Sequence, residues 1–453
     1  MDPVFSFQDI VLISIAGLIF LLFGLIFLYS VAEKERRAIW VSMLFACLIP
    51  ACLIGISLLH LTILSWTFAG LISCTFILLT IPLKRNLIAE PDIPSLRYDE
   101  RDVVFSRRKL KAGDGRYEEY YQRRPEKKSL DDHLRSFPKL LSPETPTYHP
   151  FYSKEGRIAF DEIDLIYDQV DGEVSPIKQN LDTHEITKVI RKNAKKLGAY
   201  HVANTPLKEY HIYSMKGRGE NYGKVIEQKH TYAIVVTVEM DRDMNRTAPK
   251  APTAYESAKR YLEVAKIAIH LADHIRKLGF SARAHIDANY EVLCSLLARD
   301  AGIAEIGRMG IGMSQDLGPR FRIAVVTTSL DLKTDPRTRN LSMLEFCKIC
   351  RKCATNCPVG AIPKGNMQEI NGVKKWQINQ DVCFSYWCKM GTDCGKCMAV
   401  CPYSHPDNSL HRFVKRLIKR NLLFRRFALL MDDLFYGKYP APYPVEKLNN
   451  SFS

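Results

Sequence analysis

The chain has 453 residues, a formal charge of +15 from 64 Lys+Arg against 49 Asp+Glu, 47% hydrophobic residues and a mean hydropathy of −0.13. With 10% aromatic residues it can bury a core, which excludes a disordered tail protein, and 13 cysteines are too few for a small disulfide scaffold. At roughly 150 residues per domain the length suggests about three units. The averages conceal a segregation. Residues 1–83 carry a net −1, with Lys34, Arg36 and Arg37 against Asp2, Asp9, Glu33 and Glu35, so the remainder carries +16.

Ile10 to Ala32 is 23 residues without a charge, about 34 Å as a helix against a hydrocarbon core of ~30 Å. Ala38 to Leu83 is a second uncharged run, 46 residues long, which fits two crossings with a tight turn near His60–Thr62. A buried core helix rarely lacks charge over such a length. The expectation is a three-helix membrane anchor over 1–84. A cleaved signal peptide is a poor reading, because the runs are too long, no basic region precedes the first, and more spans follow. Neither Arg36-Arg37 nor Arg107-Arg108 reads as a twin-arginine export signal: the first pair follows a span and the second has no apolar stretch behind it. Loop one (Glu33–Arg37) carries three basic residues, and Lys84, Arg85, Arg97, Arg101, Arg107 and Arg108 follow the third span. The positive-inside rule then puts loop one and the C-terminal body in the cytoplasm, as in a multi-pass protein of the cell (inner) membrane.

Residues 85–160 are polar and rich in Arg, Tyr and Pro. Stretches such as Arg97–Arg108 and Ser142–Pro150 read either as loops wrapping a body or as a partly disordered linker. The segment 161–340 turns globular, with the alternation of an α/β or α+β domain. Ala233–Val238 reads as a buried strand. Thr253-Ala254-Tyr255-Glu256 has capping-box spacing after Pro252, so a helix should run from there to Leu278 and stop at Gly279. Tyr261, Ala265, Ala268, Ala272 and Ile275 share one face of it. On composition alone, a tyrosine there is more often core than catalyst. A second helix is expected over Ala288–Ala301 and a second strand over Phe321–Thr328. Gly307–Gly312 lacks the Lys-Ser/Thr of a phosphate loop and reads as a close turn.

Nine of the cysteines fall between Cys347 and Cys401. Cys347, Cys350, Cys353 and Cys357-Pro358 follow the bacterial ferredoxin spacing, in which the fourth cysteine ligates the neighbouring cluster. Cys394, Cys397 and Cys401-Pro402 form a second set that needs one more thiolate, from Cys383 or Cys388. The reading is two [4Fe-4S] clusters in a ferredoxin-like module over 341–407. One would take Cys347, Cys350, Cys353 and Cys401. The other would take Cys394, Cys397, Cys357 and one of the two candidates. Zinc prefers wider pairs of CxxC units, and disulfides do not suit a cytoplasmic domain.

Five strings together resemble the corrinoid-dependent reductive dehalogenases: LADHIRKLGFSARAH (271–285), ARDAGIAEIGRMG (298–310), LGPRFRIAVVTTSLDL (317–332), FCKICRKCATNCPVGAI (346–362) and CFSYWCKMGTDCGKCMAVCPYSHP (383–406). The resemblance covers about 250–406 well. Epoxyqueuosine reductases share the body plan, but the residues after Cys383 are more similar to the dehalogenases, and this favours Cys383 as ligand. The resemblance implies a nitroreductase-like α/β body that holds a corrinoid (cobalamin) without a covalent link. It implies Tyr261 as proton donor, Arg320 beside it as the cation that stabilises phenolate, with Arg308 and Arg322 as rivals, and Ser257, Asp287, Asn289 and Arg308 as cofactor-pocket residues. A nearby cation should lower the tyrosine pKa toward the working pH. The implied partners are an organohalide, membrane lipid and an electron donor such as ferredoxin, flavodoxin or a quinol-linked protein, with no nucleic acid. Respiratory members normally have a separate three-span anchor subunit; here the spans are fused in front, and Glu33-Lys34-Glu35 resembles the paired-glutamate loop of that anchor. The competing functions are a membrane-bound ferredoxin-type relay and an epoxyqueuosine-reductase-like enzyme with a non-halogenated substrate.

The remaining segment, 408–453, is a basic tail. Arg412 to Arg426 has seven basic residues and no acidic one, interleaved with apolar ones. That pattern suits an anionic membrane surface or a solvated helix packed on the body.

Overall fold

The computed structural model describes residues 6–59, 61–83, 87 and 89–448. His60, Lys84 and Arg85, which figure in the expected turn and loop charges, lie outside the described residues. The chain divides into two compact units: Met1–Leu87 with Pro406–Pro440, and Ile88–His405 with Ala441–Ser453.

In the first unit, three helices among the described residues are long and apolar enough to cross a membrane: Phe7–Ala32, Arg36–Leu58 and Thr62–Thr80. They are apolar on every side. Leu12, Ala16, Leu53 and Ala69 form the seam between them, while Leu21, Trp40 and Ile63 are each at least two-thirds exposed. Small residues in the seam let helix backbones approach, as bundles in lipid require. Two further helices, Ser409–Arg420 and Leu422–Phe435, belong to this unit. Phe435 stacks on Phe23 with ring centroids 6.5 Å apart, and Asn421 Nδ2 donates to the Leu78 and Ile81 carbonyls at 2.7 Å each. The stretch taken in the sequence as one tail, 408–453, is therefore divided: it joins the first unit up to Pro440 and the second after it.

The second unit is built on a four-stranded sheet in the order His201–Pro206, Tyr232–Glu239, Phe321–Thr328, Ala282–His285. Every neighbouring pair is antiparallel, so the layers pack as in an α+β fold. The helix Ala251–Lys277 crosses one face, with Ala265, Ala268, Leu271, Ala272 and Ile275 fully buried against Ile234, Val236, Ala324 and Val326. Gly279, at φ +86°, ends it as expected. The expected helix over Ala288–Ala301 is shorter, Cys294–Asp300. Ala288 takes a left-handed φ of 55° and Val292 bridges to Ile212, so the chain there is a turn and then extended.

The segment 85–160 is not a disordered linker where it is described. It forms the helices Gly115–Arg123, Pro125–Ser136 and Tyr152–Leu165, with Tyr117, Tyr120 and Tyr121 buried together. Arg107, 3% exposed, donates from Nε to Asp131 at 2.9 Å and from Nη2 to Asp381, tying the wrap to the cysteine-bearing helix Gln380–Met390.

Candidate redox centre and adjoining side-chain cluster

Ferredoxin spacing brings the cysteines together through short helices, Leu341–Cys350 and Lys352–Thr355 on one side and Gln380–Met390 and Lys396–Ala399 on the other. Burial pushes the Cys401 thiol well above its ordinary value, and neighbouring Cys347, Cys350 and Cys353 push it further. Burial does the same to Cys397, reinforced by Cys353, Cys394, Cys383 and Cys357. Two sets therefore face one another: Cys347, Cys350, Cys353 and Cys401, and Cys357, Cys383, Cys394 and Cys397. Crowded, buried thiols resist ionisation without metal, and bound iron reverses that by taking them as thiolates. Cys388 stands apart. It packs with Phe384 and Leu134, and Arg108 Nη1 lies 3.2 Å from its sulfur. The structure brings Cys383, not Cys388, to the second set.

Beside this module lies a second constellation. Ser257 and Tyr261 are four residues apart on the long helix and so share a face. Arg322 sits on the strand Phe321–Thr328, where Ala324 and Val326 point toward that helix and Phe321 and Val325 away from it. Alternation puts Arg322 on the helix side. Its guanidinium carbon lies 4.7 Å from the Tyr261 ring centroid, and Nη2 donates to Ser257 Oγ. Ser257 Oγ in turn donates to Asp393 Oδ2 at 2.6 Å, and Arg322 and Asp393 form an ion pair at 3.7 Å. Burial pushes Tyr261 up to about 12; Arg322 pulls it back, while Asp287 and Asp393 oppose that pull. The expected lowering is thus outweighed, and Tyr261 rests in its acid form. Burial also raises Asp287, against Arg218 and Arg322, and raises Asp393 against Arg322.

The sequence expectations divide here. Ser257, Tyr261 and Asp287 come together. Arg320 does not join them. It sits in the turn before the strand, 1% exposed, donating to the Ser404 and Met240 carbonyls at 2.8 and 2.6 Å and to Glu239 at 3.0 Å. It is a clip between loops, and its rival Arg322 is the cation over Tyr261. Arg308 is also a clip: it donates to the carbonyls of Cys347, Pro363 and Gly365 and stacks 4.4 Å from the Trp376 ring. Asn289 accepts from Arg283 and donates to the Tyr167 carbonyl, bracing a turn.

Asp393 was missed by sequence reasoning. The legible signal was its flanking glycines. Gly391 and Gly395 hold φ of +78° and +62°, and a Cβ at either would lie 2.1 Å from Thr145 Cβ or 2.5 Å from Thr253 Cγ2. Both positions demand glycine, and they press the segment carrying Asp393 and Cys394 against Thr145 on one side and against Thr253 of the long helix on the other. Asp393 Oδ1 and Arg322 Nε are buried with no hydrogen-bond partner among the described residues, as are both amide atoms of Asn245. A separate cleft of about 670 Å³, lined by Tyr98, Arg124, Trp376 and Asp381 among others, opens between the wrap and the cysteine module and does not include Tyr261.

Two facing sets of four cysteines on an α+β body define a protein that holds two iron–sulfur clusters, and residues 346–405 match the 4Fe-4S dicluster domain family. The chain is 33% identical over 230 residues to the tetrachloroethene reductive dehalogenase of Dehalobacter restrictus, covering 48% of this chain and 41% of that one. It is 31% identical over 212 residues to that of Sulfurospirillum multivorans, covering 45% and 42%. A solved reductive dehalogenase described as B12-dependent superposes with a TM-score of 0.62 at 25% identity, covering 78% of this chain and 49% of that one. Over these stretches the chain is similar to the reductive dehalogenases. It spans about two-fifths of the length of the curated relatives it matches.

Proposed function

We propose that the chain is a membrane-anchored oxidoreductase that replaces the halogen of an organohalide by hydrogen, R–X + 2e⁻ + H⁺ → R–H + X⁻, with its catalytic body in the cytoplasm. The observation that carries this reading is Tyr261 beneath the Arg322 guanidinium, with Ser257 bonded to Asp393, the residue next to Cys394. The anchor reading is supported by three helices of membrane-spanning length, and the side by the basic residues of loop one.

The two cysteine sets would hold two [4Fe-4S] clusters, which would supply the electrons taken from an external donor when bound. A corrinoid, whose amide-bearing rim would suit the unpartnered edges of Arg322 and Asp393, would supply a strongly nucleophilic reduced cobalt when bound. Ser257, Asp287, Arg322 and Asp393 would line the space around it. Tyr261 Oη donates the proton to the carbon that loses halide. Burial keeps that proton in place at neutral pH, and the Arg322 guanidinium stabilises the phenolate left behind. Asp393 and Ser257 hold Arg322 in register with the ring. The relatives' names make chlorinated ethenes the first substrates to try.

The test is detergent-purified protein reconstituted with iron, sulfide and cobalamin, reduced by titanium(III) and given tetrachloroethene. One chloride should be released per two electrons. Retained clusters without corrinoid would leave a ferredoxin-type relay, and bound corrinoid without chloride release from any organohalide would leave a reductase of another substrate.

A further inference from the structure

We propose that the helices Ser409–Arg420 and Leu422–Phe435 form an interfacial element that binds the headgroups of anionic phospholipids. This rests on the anchor reading above. The pair is seated at one end of the spans. Asn421 satisfies the last carbonyls of the third span, at Leu78 and Ile81, and the Leu422 amide donates to the Leu83 carbonyl at 3.3 Å. Phe435 packs between Phe23 and Phe45, at 6.5 and 6.4 Å, and Arg37 Nε donates to the Leu434 carbonyl at 2.8 Å. His411 Nε2 lies 2.9 Å from Glu33 Oε1 in loop one. The helix pair is thus fixed at the end of the bundle where the basic loop lies.

Its outer face has the chemistry of a membrane surface. Of the seven basic residues between Arg412 and Arg426, Lys415 and Arg425 turn inward, while Arg412, Arg416, Lys419, Arg420 and Arg426 are exposed. Between them stand Phe413, Leu423, Phe427 and Leu430, exposed by 52, 46, 37 and 62%. In water that apolar area is unfavourable. At a headgroup layer the rings and leucines enter the acyl boundary while the long basic side chains reach the phosphates. A nucleic acid or an acidic protein would answer the charge and leave the apolar side chains uncovered.

The experiment uses the full chain in mild detergent with equal phosphatidylglycerol and phosphatidylcholine, counting retained lipids by native mass spectrometry. Wild type should retain phosphatidylglycerol preferentially. The pair Arg412→Gln/Arg416→Gln should weaken that preference by about fivefold per charge removed, and Gln at all five exposed positions should abolish it. The visible absorption of the clusters reports that each variant is folded. Equal retention of the two lipids by wild type, or an unchanged preference in the folded variants, overturns the proposal and leaves the cations to an acidic macromolecule. Carbonate washing of membranes separates the two claims. Wild type and variants should all stay in the pellet through their spans; release of wild type would overturn the anchor, and the lipid surface with it.

Discussion

The cysteine module and the side-chain cluster around Tyr261 meet at adjacent residues, Asp393 and Cys394, yet they are assembled in different ways. In the module, spacings of two residues gather Cys347, Cys350 and Cys353, and Cys394 with Cys397, and each set is completed from farther along the chain, by Cys401 and by Cys357 and Cys383. Around Tyr261, Ser257 on the same helix, Asp287, Arg322 and Asp393 arrive from four separate segments, and only the tertiary fold decides which arginine meets the tyrosine. Short spacings gather most of the thiols; long-range packing selects the groups around the tyrosine.

The largest expected effect tests the local half. Cys397→Ser should remove one cluster and lower the iron content from about eight to about four per chain, while Cys388→Ser should leave it unchanged. Equal loss from both would mean that Cys388 is a ligand. The two arginines test the long-range half. Arg320→Met leaves the Ser404 and Met240 carbonyls unpaired in a buried turn and should cost about 2–4 kcal/mol in unfolding free energy. Arg322→Met should instead depress turnover in protein that still folds and holds both clusters; reversed outcomes would exchange their roles. Asp393→Ala should slow turnover on the order of tenfold by loosening Arg322, without raising KM. Asp393→Asn, which keeps an acceptor for Ser257, should restore part of the rate.

The smallest effect concerns pH. Burial alone would raise the Asp300 carboxyl, but hydrogen bonds from His211, Arg299 and Tyr210 hold it well below the usual carboxylate range. Burial also lowers His211, so the pair is a carboxylate with a neutral imidazole. A depressed folded pKa stabilises above the unfolded value of about 3.9, and that contribution disappears as pH falls through the folded pKa. The melting temperature of the body should therefore drop below pH about 4, and less steeply in Asp300→Asn.

The sequence made the spans legible by length and lack of charge, the strand Phe321–Thr328 by its apolar run, and the clusters by spacing. It overextended the second helix, because the left-handed turn at Ala288 carries no glycine to announce it. It chose Arg320 over Arg322 because family alignment fixes a neighbourhood and not a side-chain direction; strand parity and the turn before it settle that direction. Asp393 stayed hidden because an acid beside a ligand cysteine reads as surface, and only the close approach at Gly391 and Gly395 turns it inward. The Tyr261 environment was half legible: a cation beside the ring was expected, but as Arg320 with Arg322 only a rival, and the stronger effect of burial was not expected.

The most direct measurement is chloride release in a single turnover by wild type and Tyr261→Phe, each with both clusters and cobalamin confirmed by spectrum. The account predicts that the variant keeps its cofactors and slows by roughly 10²–10⁴-fold. An unchanged rate in the fully loaded variant would contradict it.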